Sequence, residues 1–276
     1  MIALLLFVFA YPIIAIFDFS TKRIRGATGP FIGIDNYTSV FSDPLFGEAV
    51  LHNGALLLAV PVLVVGALLT AAVLHDRAPG WRLYRTILFL PYILAIPIVA
   101  TVFGNILQLN GALNAGLRSV GADGLALDWI GDPSLTLGSL MAVIVWREIG
   151  FGVILFAARM TGLNEELEDA ERIDGAGWFS RLWYITIPQL KSVIEFYAVI
   201  SVITMLTAVF AYVYVLTRGG PGTATQVMEL YIFNYAFRNS LPGVAAAVAV
   251  LLFLVTLALI VPLFRLRAQT RIDEVE

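Results

Sequence analysis

The chain has 276 residues, of which 59% are hydrophobic and 13% are charged, whereas soluble domains carry about 25% charged residues. It contains no cysteine, which excludes disulfides, thiolate metal sites and cysteine nucleophiles. Its formal net charge of −3 gives no basic surface that would attract nucleic acid. A soluble fold of this size could not cover so much apolar surface, so the composition predicts an integral membrane protein.

Six apolar stretches are long enough to cross the hydrocarbon core of a bilayer, which needs roughly 20 residues of helix. The fourth stretch contains two charged residues, Arg147 and Glu148. A segment in lipid must satisfy its own backbone hydrogen bonds, so all six are predicted to be helices. The predicted spans are residues 1–17, 52–74, 86–107, 135–158, 193–217 and 241–264.

Lysine and arginine are distributed unequally between the segments that connect these spans. More of them lie on the predicted side of the two termini than on the opposite side, although Lys22, Arg23 and Arg25 oppose the trend. The positive-inside rule therefore predicts a multi-pass protein of the cytoplasmic membrane with both termini cytoplasmic. The first span has no basic leader and no small-residue cleavage site, so we expect a retained helix rather than a signal peptide.

This orientation divides the chain into one transmembrane domain, residues 1–276, with segments outside the membrane. Three of these segments are predicted to be external, and the longest internal one is predicted to be structured. The external loops are residues 18–51, 108–134 and 218–240, and the cytoplasmic loop is residues 160–190.

The predicted cytoplasmic loop begins with a short amphipathic helix. Asn164 can cap it, and acidic residues follow in the first turn, where the helix dipole favours them. Leu163, Leu167, Ala170 and Ile173 recur at helical spacing and form one narrow apolar stripe. The rest of the helix is acidic and would be repelled by anionic lipid, so the stripe predicts a protein partner.

The same loop carries a family resemblance. Residues 169–177 read Asp-Ala-Glu-Arg-Ile-Asp-Gly-Ala-Gly, and residues 185–188 read Ile-Thr-Ile-Pro. This pattern resembles the EAA loop of permease subunits of binding-protein-dependent ABC importers, in which Glu-Ala-Ala, three residues and a glycine precede Ile-x-Leu-Pro. The spacing agrees when the two patterns are aligned on Gly175. Asp169 replaces the usual Glu and keeps its charge, whereas Glu171 replaces the second Ala.

Four further segments resemble carbohydrate-uptake permeases of the maltose and glycerol-phosphate type, in the order found in that family. They are residues 31–37 (Phe-Ile-Gly-Ile-Asp-Asn-Tyr), 85–91 (Arg-Thr-Ile-Leu-Phe-Leu-Pro), 214–221 (Tyr-Val-Leu-Thr-Arg-Gly-Gly-Pro) with Thr225, and 231–237 (Tyr-Ile-Phe-Asn-Tyr-Ala-Phe). The resemblance covers nearly the whole chain and implies the first of two permease subunits. It implies an all-α, polytopic fold of the type I importer kind, with about six transmembrane helices and a cytoplasmic coupling helix.

The resemblance also implies the partners. A coupling helix would dock onto a separate ABC ATPase dimer, and the other implied partners are a second permease subunit, an extracytoplasmic substrate-binding protein and the lipid bilayer. The chain has no G-x-x-x-x-G-K-[ST] motif, and neither Lys22 nor Lys191 follows a glycine, so ATP would be bound by the partner and this chain needs no cofactor. The implied coupling residues are Asp169, Ala170, Ile173, Asp174, Gly175, Ala176 and Gly177.

Arg147 and Glu148 lie in the middle of the fourth predicted span, where charged side chains are costly and usually face a cavity or a partner. They either pair with other helices or line a translocation path, and both interpretations stay open at this point. In the maltose-type permease the residues after the tryptophan that matches Trp146 line the sugar site. The resemblance thus implies a path lined by Trp146, Arg147, Glu148 and Phe151, and in the fifth span by Thr204, Met205 and Thr207.

The predicted solute is a sugar or related polyol, because aromatic rings such as those of Trp146 and Phe151 stack on sugars. A glycerol-phosphate or glycerophosphodiester importer is an alternative, since Arg147 could bind a phosphate, although Glu148 beside it opposes an anion. An ion-coupled secondary transporter would need an ion-binding acid within the spans, for which Glu148 is the candidate. A membrane-embedded enzyme would need paired acids or a metal cluster at membrane depth, and we find none in the sequence.

Overall fold

The computed structural model describes residues 4, 6–24, 28–75, 80–162 and 177–273, and these residues form an all-α protein. Within them an isolated bridge between Lys22 and Phe31 is an example of β-type pairing. Short π-helical turns extend several of the helices. The α-helices, in chain order, are α1 (Tyr11–Ser20), α2 (Asp35–Phe41), α3 (Pro44–Leu56), α4 (Ala59–His75), α5 (Trp81–Ile93), α6 (Ile96–Ile106), α7 (Ala112–Ser119), α8 (Pro133–Met160), α9 (Trp178–Arg181), α10 (Ile187–Thr207), α11 (Val209–Leu216), α12 (Met228–Phe233) and α13 (Pro242–Asp273).

Several helical stretches are long and apolar enough to cross a membrane. One further crossing is formed by α5 and α6 if that bent pair is counted as one span, and the helix Phe7–Ser20 is apolar but shorter. Together these stretches follow the order of the six predicted spans and confirm a polytopic, all-α membrane protein. The continuous stretches are Pro44–His75, Pro133–Met160, Trp178–Thr207 and Pro242–Leu263.

The helix that contains the second predicted span begins at Pro44, well before residue 52. Asp43 caps it by accepting a hydrogen bond from the Leu45 N–H at 2.9 Å, and Pro44 occupies its first turn. The segment predicted as an external loop therefore contains α2 and most of α3. The composition alone concealed this, because α3 mixes polar residues with apolar ones.

Two of the predicted spans are broken rather than continuous. α5 and α6 meet at an angle of 100°, with Leu94 and Ala95 in extended conformation between them. Proline removes a helical N–H donor, and Pro91 and Pro97 lie on either side of this break.

The second break separates α10 from α11 at Ala208. The hydroxyl groups of Thr204 and Thr207 donate to the carbonyl oxygens of Ile200 and Ile203, one turn back, at 3.0 and 2.8 Å. This back-bonding bends helices, so it supplies a physical reason for a break in a stretch without proline or glycine.

Helix α8 lies at the centre of the packing, against α4, α5 and α10. Its glycines permit this close approach. A Cβ atom on Gly152 would overlap the Tyr197 ring and the Ala67 methyl group, and one on Gly150 would overlap the Leu88 carbonyl oxygen. Small residues at such positions let transmembrane helices approach each other closely, so these glycines fix the positions of the three neighbouring helices.

The segment 31–37 attaches the end of α1 to α2. The buried Asn36 amide donates to the carbonyl oxygens of Ser20 and Lys22 at 2.8 and 3.0 Å, and the Tyr37 hydroxyl donates to the Ser20 hydroxyl at 2.8 Å. Gly33 supplies the left-handed conformation, φ +63°, that turns the chain into α2. This motif is therefore structural in the described part of the chain.

Asp43, which caps α3, attaches the start of that helix to the segment 231–237. Its carboxylate accepts hydrogen bonds from the hydroxyl groups of Tyr231 and Tyr235 at 2.7 and 2.8 Å, and the two rings stack with centroids 4.2 Å apart. Burial raises the pKa of Asp43, but the bonds from both tyrosines and from the Leu45 N–H outweigh it and lower the pKa below its ordinary value. Asp43 is therefore an ionised bridge between the start of α3 and the segment 231–237.

Candidate functional site

The break between α5 and α6 leaves backbone carbonyl groups without helical partners in the middle of a predicted membrane span. The last carbonyl groups of a helix have no partner within it, and here the chain turns away before α6 can supply one. Leu94 and Ala95 are exposed at the surface of the chain. Donors from another element must therefore serve these carbonyl groups, since lipid cannot.

Arg147, from the middle of α8, supplies those donors. Its Nε donates to the Leu94 carbonyl oxygen at 3.0 Å, and one terminal nitrogen donates to the Leu94 and Tyr92 carbonyl oxygens at 2.9 and 3.0 Å. The other terminal nitrogen pairs with the Glu148 carboxylate and lies 3.4 Å from the Tyr212 hydroxyl. A guanidinium has five N–H groups, so each of them has an acceptor within the chain.

Glu148 completes the pair. The side chains of Arg147 and Glu148 are both 12% exposed. The Glu148 carboxylate accepts a further hydrogen bond from the Tyr212 hydroxyl at 2.8 Å, and its backbone carbonyl accepts one from the Tyr197 hydroxyl at 3.2 Å. The site therefore has one positive and one negative charge, and they contact each other directly.

Aromatic rings surround this pair. The Arg147 guanidinium lies 5.2 Å from the Tyr92 ring centroid, within the range of a cation–π contact, and Phe151 stacks on Tyr92 at 5.1 Å. Trp146 contacts Phe103 edge to face at 4.9 Å and is 43% exposed. Trp146 therefore offers a partly exposed aromatic ring on α8, one residue before Arg147.

The structure separates the three residues predicted from the fifth span. Met205 is fully buried in the core, Thr204 is half-buried, and Thr207 is exposed at the end of α10. Among the described residues, two tyrosines connect this span to the pair: Tyr197 of α10 bonds to the Glu148 backbone carbonyl, and Tyr212 of α11, just beyond the second break, contacts both charged side chains. The sequence analysis did not identify Tyr212 as a site residue, because its role depends on a hydrogen-bond partner 64 residues away in the chain.

Most of the predicted coupling residues lie outside the described part of the chain. These are Asp169, Ala170, Ile173, Asp174, Gly175 and Ala176. Gly177 is described: it has extended backbone, with ψ 161°, and directly precedes α9.

The sequence analysis missed Tyr92 and Leu94, whose carbonyl groups bind Arg147. One signal could have identified them. Pro91 and Pro97 interrupt an otherwise apolar stretch, and interrupted spans mark binding sites in many transporters.

A second polar cluster lies at the end of the molecule where α3 meets α12. The Asn53 amide donates to the Glu229 carboxylate at 3.1 Å, and its oxygen accepts from the Met228 N–H at 2.8 Å. His52 Nδ1 lies 2.8 Å from the Gln226 carbonyl oxygen. One Glu229 carboxylate oxygen is buried and makes no hydrogen bond to a described residue. Burial raises the pKa of Glu229 to about 7, although its own backbone N–H and Asn53 favour the charged form.

Glu229 is therefore expected to make stability depend on pH. Glu229 is in α12, which lies outside the candidate membrane spans. The folded protein holds the proton of the Glu229 carboxyl group more tightly than the unfolded chain does, where this group has a pKa near 4.5. The contribution of Glu229 to the free energy of unfolding should fall as the pH rises from about 4.5 to about 7 and then stay level. Glu229→Gln should remove this fall, making the variant more stable than the native protein at pH 8 but not at pH 4.5.

Unfolding followed by tryptophan fluorescence in detergent between pH 4.5 and 8 measures the difference. Glu48→Gln is the matched control, since Glu48 is an exposed glutamate of α3. A difference between the Glu229→Gln variant and the native protein that does not change with pH would contradict the expectation.

Comparison with known proteins identifies the family. Residues 54–270 match the family model described as "Binding-protein-dependent transport system inner membrane component". The chain is 36% identical, over 234 residues, to the "Probable ABC transporter permease protein YurN" of Bacillus subtilis (strain 168), covering 83% of this chain and 80% of that protein. It is 32% identical, over 242 residues, to the "Lactose transport system permease protein LacF" of Rhizobium radiobacter, covering 86% of this chain and 80% of that protein.

Solved structures agree with the fold. The chain superposes with a TM-score of 0.85 and 22% identity on a chain of a bacterial ABC transporter involved in the import of the acidic polysaccharide alginate, covering 97% of this chain and 92% of that one. A second structure of a bacterial alginate ABC transporter, in complex with a pentasaccharide-bound periplasmic protein, gives a TM-score of 0.83. The chain therefore belongs to the inner membrane components of binding-protein-dependent transport systems: it is a membrane-spanning permease subunit of an ABC importer and not its ATPase.

Proposed function

We propose that this subunit conducts an uncharged sugar or related polyol across the cytoplasmic membrane, along a path that passes the break between α5 and α6. The non-helical conformation of the exposed residues at that break supports this placement most directly. Such backbone is tolerated at membrane depth only inside protein or along a water-filled cavity. Leu94 and Ala95, exposed on this chain, must therefore face the path or another subunit.

The residues around the break have the chemistry that a sugar requires. Trp146 and Phe151 offer aromatic faces near Arg147. The family resemblance supports placing Thr204 and Thr207 along the same path, although in this chain their hydroxyl groups donate to carbonyl groups of their own helix. Arg147 and Glu148 form the charged floor of this region. Met205 is fully buried in the core and does not enter this proposal. The charged pair also limits the solute, because its net charge is zero.

A neutral solute fits this charge balance better than an anion does. Every N–H group of Arg147 already has an acceptor in the chain, and Glu148 compensates its charge, so this arginine offers no free donor to a phosphate. Relatives include permeases named for lactose and diacetylchitobiose and, at 28% identity, for sn-glycerol 3-phosphate. The ion pair between Arg147 and Glu148 favours uncharged sugars such as lactose and diacetylchitobiose over glycerol phosphate as the solute of this chain.

The proposed assembly contains this chain and three kinds of partner protein. A second permease subunit forms the other side of the path, an ABC ATPase dimer binds the coupling residues 169–177, and an extracytoplasmic binding protein delivers solute. Both termini are placed in the cytoplasm, with the loops 18–51, 108–134 and 218–240 external. The family's binding-protein dependence and the periplasmic protein bound to a structural neighbour support the binding-protein partner.

Transport then follows from two states with different contacts. Closure of the ATPase dimer on ATP moves the coupling segment, and the permease subunits move from inward-facing to outward-facing. Solute reaches the break from the binding protein and leaves toward the cytoplasm after hydrolysis.

The test is ATPase activity of the assembled complex in nanodiscs with candidate binding proteins, each loaded with lactose, diacetylchitobiose or sn-glycerol 3-phosphate. We expect one binding protein loaded with an uncharged sugar to stimulate hydrolysis and uptake. Stimulation by glycerol phosphate alone would contradict the proposed solute class. Uptake by the isolated chain, driven by an ion gradient in liposomes, would contradict the importer mechanism itself.

A further inference from the structure

The three side chains Arg147, Glu148 and Tyr212 connect the two broken spans. Arg147 binds the carbonyl groups of Tyr92 and Leu94 at the α5–α6 break. Tyr212 belongs to α11, which starts directly after the Ala208 break, and its hydroxyl bonds to the Glu148 carboxylate. Both breaks are therefore tied to the same two neighbouring residues at the middle of α8.

Arginine suits this position for a geometric reason. Its planar fork presents five donors in fixed directions, whereas lysine presents one compact charge with three donors and no fork. Serving two carbonyl oxygens, a carboxylate and a hydroxyl at once requires the fork. Lysine could neutralise Glu148 but could not also bind both Tyr92 and Leu94 in this arrangement.

We propose that Arg147 is a positioning residue for transport: it terminates α5, sets the direction of α6 and, through Glu148 and Tyr212, couples that break to the one between α10 and α11. It acts on the solute through the backbone it holds rather than by direct contact. Its effect on transport rests on the path proposed above. The geometric part of the proposal stands on the contacts alone and can be measured separately.

The geometric test uses two spin labels on opposite arms of the break. The chain has no native cysteine, so Leu83→Cys and Val102→Cys, at residues 62% and 48% exposed, place labels on α5 and α6. The distance between them is measured in the assembled complex in nanodiscs, with cysteine-free partner subunits. We expect a narrow distance distribution for the native residue and a broad one for Arg147→Gln. Arg147→Lys should lie nearer to Gln than to native.

The functional arm compares solute uptake and basal ATPase activity of the same complexes. Arg147→Gln should reduce uptake roughly tenfold to a hundredfold, the scale of a misplaced binding group. Arg159→Gln is the matched control on α8, since the Arg159 guanidinium donates to the Gly162 carbonyl at the end of its own helix. That variant should leave the distance distribution unchanged.

The outcomes separate the alternatives. Lost uptake with an unchanged distance distribution would overturn the proposal and make Arg147 a direct solute contact. Native-like uptake together with an unchanged distribution would overturn it as well. If Arg147→Gln does not assemble, Arg147→Lys and Tyr212→Phe decide, since both should broaden the distribution. A native complex that transports no uncharged sugar would refute the proposed function and leave the distance result standing.

Discussion

Replacing Gly150 with alanine is expected to destabilise the protein strongly. Among the glycine-to-alanine replacements on α8, we expect a comparable effect at Gly152 and a smaller one elsewhere. The new Cβ would overlap the Leu88 carbonyl oxygen, with the Phe89 Cα only 3.2 Å away. These are backbone atoms of α5, so a side-chain rotation cannot relieve the overlap. Overpacking a close contact costs about 1–3 kcal/mol, and here the shift would also move α5 away from Arg147. The measurement is the unfolding midpoint in detergent, followed by tryptophan fluorescence.

Gly138→Ala provides the matched control on the same helix. A Cβ at Gly138 would meet no atom within 4 Å. Alanine exceeds glycine in helix propensity by up to about 1 kcal/mol, so this variant should be as stable as the native protein or slightly more stable. Equal losses for the two variants would show that glycine serves chain flexibility in α8. No loss for Gly150→Ala would mean that α5 and α8 pack less closely than described.

The order and identity of the apolar spans could be predicted from the sequence, because span length and composition are local properties of the chain. The same is true of the Asp43–Pro44 helix start, which belongs to a known capping pattern. The sequence analysis nevertheless assigned this region to a loop, since hydropathy alone set the boundary. A second helix start, Asp132–Pro133, follows the same pattern, and its Ser134 hydroxyl and N–H groups lower the pKa of the Asp132 carboxyl.

The partners of Arg147 could not be predicted in the same way. They are two backbone carbonyl groups more than 50 positions earlier in the chain, and backbone groups carry no residue signature. The sequence left a choice between an ion pair and a path lining, and in the structure Arg147 pairs with Glu148 and also binds the helix break. The break itself depends on two prolines. Their effect on helical hydrogen bonds can be predicted from the sequence, but the direction in which the chain turns is decided by packing.

Glu229 shows a different limit. Glu229 lies between the two segments that resemble the family, 214–221 and 231–237, and not within either of them. The residues next to it in the sequence do not distinguish it from an exposed acidic residue. Glu229 is buried because α12 packs against α3, where the Asn53 amide donates a hydrogen bond to its carboxylate. Tertiary burial of a titratable group is a long-range outcome, and it therefore appears only when the fold is known.

Gly175→Asp is expected to abolish coupling between solute delivery and ATP hydrolysis. Gly175 lies outside the described residues, so this expectation rests on the EAA-loop pattern, in which a glycine occupies this position. The substitution adds a side chain and a negative charge beside Asp174, in a loop that already carries Glu171 and Asp169. Loss of a central interface contact costs about 2 kcal/mol or more, or roughly a thirtyfold weaker docking of the ATPase.

The measurement is ATPase activity of the nanodisc complex with and without the loaded binding protein, together with co-purification of the ATPase. Gly162→Asp is the matched control, because it adds the same charge at the other end of the predicted cytoplasmic loop, where a Cβ would have only ordinary contacts with Arg159. We expect stimulation to survive in the control and to disappear in Gly175→Asp, with less ATPase retained. Full stimulation in Gly175→Asp would mean that the ATPase docks elsewhere, and loss in both variants would mean that the loop responds to charge alone rather than to contact at Gly175.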